Sequence, residues 1–194
     1  MALSEAQRRL RWQIEQVAFM GIHASRYWGE VSDQSSEFWM FTRNCYGQRA
    51  IALWCQLFNS GYDDASHYLK LFGDDQLSDL GRKFGSSRVS SRLQVASRLE
   101  ADQISEFQHT ITSFRNDYSS QREYQGEGMA FPDLRPALAM FEEVRVLLEE
   151  TVVAEARNGS DQYLVELLQY YEFDSNADIE RKCCGDIAQL NFAS

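Results

Sequence analysis

The residues best placed for chemistry are Arg115 and Asn116, in the segment 107–122, FQHTITSFRNDYSSQR. Apolar residues recur every three or four positions there, which predicts one helical stripe. Arg115 and Asn116 lie beside that stripe, at the rim of whatever the helix buries, and Gln121 follows six residues after Arg115. The members of the stripe are Phe107, Ile111, Phe114 and Tyr118.

The chemistry that this pattern can support depends on a proton acceptor. Arg115 supplies a fixed cation for developing negative charge, but acid–base catalysis also needs a group that titrates near neutral pH. The amide of Gln121 neither accepts a proton at neutral pH nor carries charge. His109 precedes Arg115 by almost two helical turns and so lies on the wrong side of it. The pattern therefore offers charge stabilisation without an evident base.

Other catalytic and metal-binding patterns are weak. His23, His67 and His109 are isolated, and none pairs with a second ligand at a metal-binding spacing. The chain has no glycine-rich phosphate loop and no G-x-S-x-G motif. The four cysteines occupy core-like or tail-like contexts, where a free thiol usually acts as a small hydrophobe. We predict no metal and no cofactor, and His67 is expected to cap a helix or lie at the surface.

The clearest basic feature is the segment 81–98, which contains no acidic residue in a chain of net charge −10. A solvated helix face is the commoner explanation of such a run. The functional alternative is a docking surface for RNA phosphates or for an acidic protein partner. The overall acidity argues against broad nucleic-acid binding, although a local basic patch is compatible with it. The cations are Arg82, Lys83, Arg88, Arg92 and Arg98.

Composition predicts one soluble, cytoplasmic domain spanning residues 1–194, with its core in 4–174 and a C-terminal segment, 175–194, that packs as a helix or forms a tail. Length, 44% hydrophobic residues and the absence of linker-like stretches favour one packed domain. Cys45 and Cys55 lie about 15 Å apart on a helix, too far for a disulfide. The N-terminus does not resemble a signal peptide, and no apolar run approaches the roughly 20 residues of a membrane span.

The chain reads as all-α, because helical periodicity recurs and strand alternation does not. The two prolines, Pro132 and Pro136, are close together and leave long proline-free stretches. The helix over 37–59 is apolar on two faces and is expected to be central in a bundle. Asp102 is expected to cap a new helix after a break near residues 100–103. The other predicted helices span about 4–24, 65–72, 76–84, 132–157 and 161–173, and an apolar stripe that begins with Val89, Leu93 and Ala96 resumes at Ile104.

The helix, the Arg-Asn pair at its end and the polar turn after it resemble the active element of the HEPN superfamily, whose ribonucleases carry R-x(4–6)-H. More narrowly, residues 35–145 are similar to the abortive-infection U-like (AbiU-like) branch. The shared features are Phe38–Trp39 in an aromatic helix, an Arg-Asn turn at 114–118, the stretch LWCQLFNS at 53–60, and His67 shortly after it.

The resemblance implies a bundle of about five to seven helices that forms a homodimer and brings two Arg–His pairs to one cleft. In active members the histidine would handle the proton of the attacking 2′-hydroxyl, and the arginine would stabilise the phosphorane. Arg115 and Asn116 match the first two motif positions, whereas Gln121 stands where the histidine belongs. The resemblance therefore implies a degenerate ribonuclease site that binds rather than cuts, in a bacterial or phage defence or toxin–antitoxin type system.

Two alternatives stay open. One is an active metal-independent endoribonuclease that uses Arg115 and Asn116 with an atypical base, His109 or Tyr118. The other is an unrelated helical oligomerisation module in which Arg115 makes a structural ion pair. A single arginine at a helix rim most often has such a structural role, and only the resemblance favours a degenerate HEPN site over it.

Overall fold

The computed structural model describes residues 5–30, 37–59, 67–72, 86–120 and 130–157. The all-α prediction is confirmed: these residues form a bundle of seven α-helices and one π-helical segment, with no strand among them. None of the helices in these ranges has the length and apolar content needed to cross a membrane. The bounds are α1 Glu5–Trp12, the π-helical segment Gln13–Ala18, α2 Phe19–Glu30, α3 Glu37–Phe58, α4 Tyr68–Phe72, α5 Ser86–Ser97, α6 Ala101–Ser120 and α7 Arg135–Arg157.

The chain divides into two compact units, Met1–Leu148 and Glu149–Ser194. The first unit contains the sites considered below. Of the second, the structure describes the last part of α7, residues 149–157. The helices predicted over 76–84 and 161–173 and the segment 175–194 lie outside the described residues.

The N-terminal helical run is longer than predicted, because α2 continues to Glu30 instead of ending near residue 24. Residues 25–30 look polar in sequence, but Tyr27 packs on Tyr46 of α3 with ring centroids 4.9 Å apart. Trp28 packs near Phe131 in the same way. The composition of residues 25–30 alone predicts a loop between helices. The segment is helical because these two aromatic rings make tertiary contacts.

Helices α2 and α3 run antiparallel, since Tyr27 faces Tyr46 while Met20 lies beside Arg49. Glycine permits close approach at two points of this packing. A Cβ at Gly21 would lie 2.6 Å from the Phe141 ring of α7, and one at Gly47 would lie 2.5 Å from Phe131. The predicted apolar face of the first helix is confirmed as core, with Leu10, Ile14, Val17 and Ala18 fully buried and Gly21 also buried.

The prediction that α3 is central holds for its C-terminal half and is wrong for its first turns. Trp54 and Leu57 are buried with most of their neighbours. Phe38 and Phe41, by contrast, are 62% and 69% exposed, and Met40 is also exposed. The apolar residues Phe38, Met40 and Phe41 at the start of α3 are therefore largely exposed to solvent.

The break between α5 and α6 is confirmed, but Asp102 is not the cap. Arg98 follows the last turn of α5 with φ of 58°, a left-handed conformation common at that position. The Glu100 carbonyl accepts the first α6 hydrogen bond, from Ile104 N at 2.9 Å. Gln103 Oε1 in turn accepts from Glu100 N at 2.9 Å. This contact is one of the two hydrogen bonds of a capping box, the one made by the side chain of the third helical residue, Gln103. It stabilises the start of the helix that carries Arg115.

Helix α7 begins at Arg135, three residues later than the predicted start near residue 132, so Pro132 precedes the helix and only Pro136 lies in its first turn. Asp133 accepts a hydrogen bond from Arg135 N at 3.0 Å, and Leu138 N donates to the Leu134 carbonyl at 2.9 Å. Pro136 lies in the first turn, where its missing N–H costs nothing. An apolar stripe of α7 faces the core of the first unit: Leu134, Phe141, Val144 and Leu148 are buried, and Leu138 is half-buried.

Candidate functional site

Helix α6 holds Arg115 at the edge of the core. Ile111 and Phe114 of its apolar stripe are buried, and they fix the rotation of the helix about its axis. Arg115 is half-buried and Asn116 is exposed. The two residues lie at the rim of the buried stripe, as predicted.

The Arg115 side chain bends toward its neighbour. Arg115 Nη2 donates to Asn116 Oδ1 at 3.1 Å, and Arg115 Nε lies 3.3 Å from the same oxygen. Both contacts are to a neutral amide, which orients the planar guanidinium. The pair therefore acts as one oriented cationic group at the helix surface.

The inner side of Arg115 meets Cys55 of α3, which sequence reasoning treated only as a core residue. Cys55 is 4% exposed. Burial raises the pKa of the Cys55 thiol above its ordinary value of 9.0, while the nearby positive charge of Arg115 opposes that rise. A thiol with a raised pKa is protonated at neutral pH and is a poor nucleophile. Cys55 therefore serves as a neutral contact that links α3 to Arg115.

Two of the three histidines, His109 and His67, have settings that do not suit a base for Arg115. His109 is exposed on α6, and six residues place it about 9 Å along the axis and roughly 120° around it from Arg115. His67 is 2% exposed and caps α4: its Nδ1 accepts from Leu69 N at 3.3 Å, and its carbonyl accepts from Lys70 N. The capping role predicted for His67 is confirmed, and its surface alternative is wrong.

Of the predicted basic surface, the structure describes three residues. Arg88 and Arg98 are exposed. Arg92 is instead paired with Glu143 of α7, with Arg92 Nε 2.5 Å from Glu143 Oε1. The segment contains no acid of its own, so this pairing has no local signal in the sequence. Arg88 and Arg98 are thus the described cations of this segment that stand exposed at the surface.

Gln121, Arg82 and Lys83 lie outside the described residues, as does the side chain of Tyr118. Within the residues that are described, no group of three His, Cys, Asp or Glu side chains is arranged to hold a metal ion. No protein-family model, curated protein or solved structure matches the chain. The site is therefore interpreted from its own geometry.

Proposed function

We propose that this chain is a HEPN-like helical protein with a degenerate ribonuclease motif, which binds RNA without cleaving it. The observation that carries the proposal is the setting of Arg115 at the rim of the buried stripe, where the Asn116 amide orients its guanidinium. An oriented cation of this kind suits a phosphate group. The motif lacks a proton acceptor for catalysis, because Gln121 takes the place of histidine.

The exposed arginines of α5 and its C-terminus extend this proposal. Arg88 and Arg98 are accessible on a chain that is otherwise acidic, so they offer a local rather than a general attraction for phosphates. Binding of this kind is weak in energy per contact and falls steeply with salt. We propose that the protein acts within a bacterial or phage defence or toxin–antitoxin type system, as the HEPN resemblance implies.

The wild-type protein is expected to bind single-stranded RNA without cutting it in the presence of a chelator. Gln121→His restores the missing proton acceptor and should produce cleavage, and Arg115→Ala on that background should remove it. General acid–base catalysis typically contributes about 10²- to 10⁴-fold, so the gain is measurable on a labelled RNA.

The same RNA, followed by fluorescence anisotropy, should bind less tightly as salt increases and after Arg88→Glu with Arg98→Glu.

The outcomes separate the three hypotheses. Cleavage by the wild type that Arg115→Ala abolishes would show an active endoribonuclease with an atypical base. Absence of RNA binding, together with a lower melting temperature for Arg115→Ala, would leave an oligomerisation module in which Arg115 is structural. Gln56→Leu, a change of an exposed residue on α3, is the control for altered folding.

We further propose that the protein is a homodimer that joins two copies through the start of α3. Phe38, Phe41 and Cys45 are exposed and spaced i, i+3 and i+7, the spacing of a helix–helix seam. Each phenylalanine removes up to about 150–250 Å² from water when covered. The seam is thus the centre of the roughly 800 Å² per subunit that a stable interface needs.

Light scattering at micromolar concentration is expected to give a dimer mass for the wild type and a monomer mass for Phe38→Ser with Phe41→Ser. Removing both rings takes away the apolar centre of the seam while leaving the core untouched, because both side chains are already exposed. Val95→Ser, at a residue 77% exposed on α5, is the matched control and should remain dimeric. A monomeric wild type, or a dimeric double variant, would contradict the proposal.

A further inference from the structure

A second feature of the first unit is a cavity of about 180 Å³ between α3, α4, α5 and α6, closed on one side by α7. We call it the α3–α6 cavity. Its wall combines three aromatic rings with three neutral polar side chains, and no described lining residue is charged. Those six residues are Trp54, Phe58, Tyr68, Ser90, Gln94 and Gln108.

The aromatic part of the wall is a row of three side-chain rings in contact with one another. Phe58 lies between Trp54, at 5.4 Å, and Tyr68, at 5.5 Å, measured between ring centroids. The rings are mutually tilted by 38° and 46°, so they form a curved apolar surface. A flat aromatic molecule gains stacking energy on such a surface, whereas a flexible alkyl chain gains less because it must be ordered.

The polar part of the wall has unused hydrogen-bonding capacity. Gln108 Nε2 lies 3.5 Å from both the Phe58 carbonyl and Asn59 Oδ1, at the long limit for a hydrogen bond. The side chains of Gln94 and Ser90 make no hydrogen bond to the described part of the chain. Each glutamine amide carries both a donor and an acceptor, so it can pair with a ligand edge that alternates the two.

The volume of the cavity and the charge of its lining residues limit the kinds of ligand that it can bind. An apolar cavity of roughly 150 Å³ holds benzene, so this one accommodates a single ring or a compact bicyclic ring. The absence of charge among the described lining residues disfavours a phosphate or carboxylate inside the cavity. A neutral planar heterocycle with alternating donors and acceptors satisfies both conditions.

We propose that the α3–α6 cavity binds a nucleobase, stacked on the aromatic wall and hydrogen-bonded by Gln94 and Gln108. The base comes either from a free nucleoside or from an unpaired residue of RNA. Only the second source rests on the RNA-binding function proposed above. Stacking on an aromatic side chain is available to every base, because each base has a π-face.

The experiment titrates adenosine, guanosine, cytidine and uridine separately into the full chain, by calorimetry and saturation-transfer NMR. At least one nucleoside should bind in the wild type. Gln94→Leu and Gln108→Leu should each weaken it by roughly three- to tenfold, since each removes a hydrogen-bonding group at nearly constant volume. Ser90→Leu should weaken it by filling the cavity, and Gln56→Leu, an exposed change, should leave it unchanged.

Short single-stranded RNA, tested on the same variants, separates the two proposals. Nucleoside binding without RNA binding supports the cavity and overturns the RNA-binding function. RNA binding that depends on Arg88 and Arg98, but not on Gln94, Gln108 or Ser90, supports the RNA-binding function; it overturns the cavity if no nucleoside binds, and it assigns the cavity to a free nucleoside if one does. The cavity proposal also falls if no nucleoside binds at millimolar concentration, or if binding is equal in all variants while their melting temperatures show that they are folded.

Discussion

Gly21→Ala is expected to lower the free energy of unfolding by about 1–3 kcal/mol, the usual cost of overpacking a core. A Cβ at Gly21 would lie 2.6–2.8 Å from three atoms of the Phe141 ring. That ring is fully buried and also packs on Phe58, at 5.8 Å between centroids. Because the ring has no solvent-facing space to move into, relief requires α2 and α7 to move apart.

Gly29→Ala provides the matched control, because it lies in the same helix and a Cβ added there would have nothing within 4 Å. Alanine is the better helix former, so this change should raise the free energy of unfolding by about 0.5–1 kcal/mol. Urea unfolding of both variants measures the difference. Combining Gly21→Ala with Phe141→Leu should recover part of the loss, as a coupled pair does in a double-mutant cycle. Equal effects of the two alanines would contradict the close packing of α2 on α7.

Sequence periodicity predicted the helices and most of the core, since an apolar residue every three or four positions is a local signal. It failed where distant parts of the chain decide the outcome. Tyr27 and Trp28 keep α2 helical through contacts with Tyr46 and Phe131, which lie 19 and 103 residues away in sequence. For the phenylalanines at the start of α3 the error was the opposite one: burial was predicted and the residues are exposed. Hydrophobicity alone does not show whether a residue is buried.

In the candidate site, too, features that depend on local sequence were predictable and contacts between distant residues were not. The rim position of Arg115 follows from the stripe of its own helix, which is why it was predictable. Its contact with Cys55 joins residues 60 positions apart, and the pairing of Arg92 with Glu143 joins residues 51 apart, so neither has a spacing that marks it. Asp102 has the residue type of a better cap and accepts a hydrogen bond from Gln103 N, but α6 begins at Ala101, so Asp102 lies inside the first turn and not at the cap position.

Above about pH 9, the wild type is expected to lose stability with rising pH more steeply than Cys55→Ala. Burial raises the pKa of the folded Cys55 thiol above the 9.0 of an ordinary thiol. Between the two values the unfolded chain releases this proton and the folded chain keeps it, so unfolding is favoured. The slope approaches at most about 1.4 kcal/mol per pH unit and vanishes below the unfolded pKa.

The measurement compares urea unfolding of the wild type and Cys55→Ala from pH 7 to 10.5, and takes the difference between the two curves. Lost packing gives a constant offset, whereas the ionisation of Cys55 makes the difference shrink as pH rises. Arg115→Gln removes the charge that opposes the effect of burial, so its alkaline loss should extend to higher pH than in the wild type. Parallel curves for the wild type and Cys55→Ala would show that the thiol is not buried against α6. An unchanged curve for Arg115→Gln would show that its guanidinium does not reach Cys55, which would remove the inner contact that holds this cation at the helix rim.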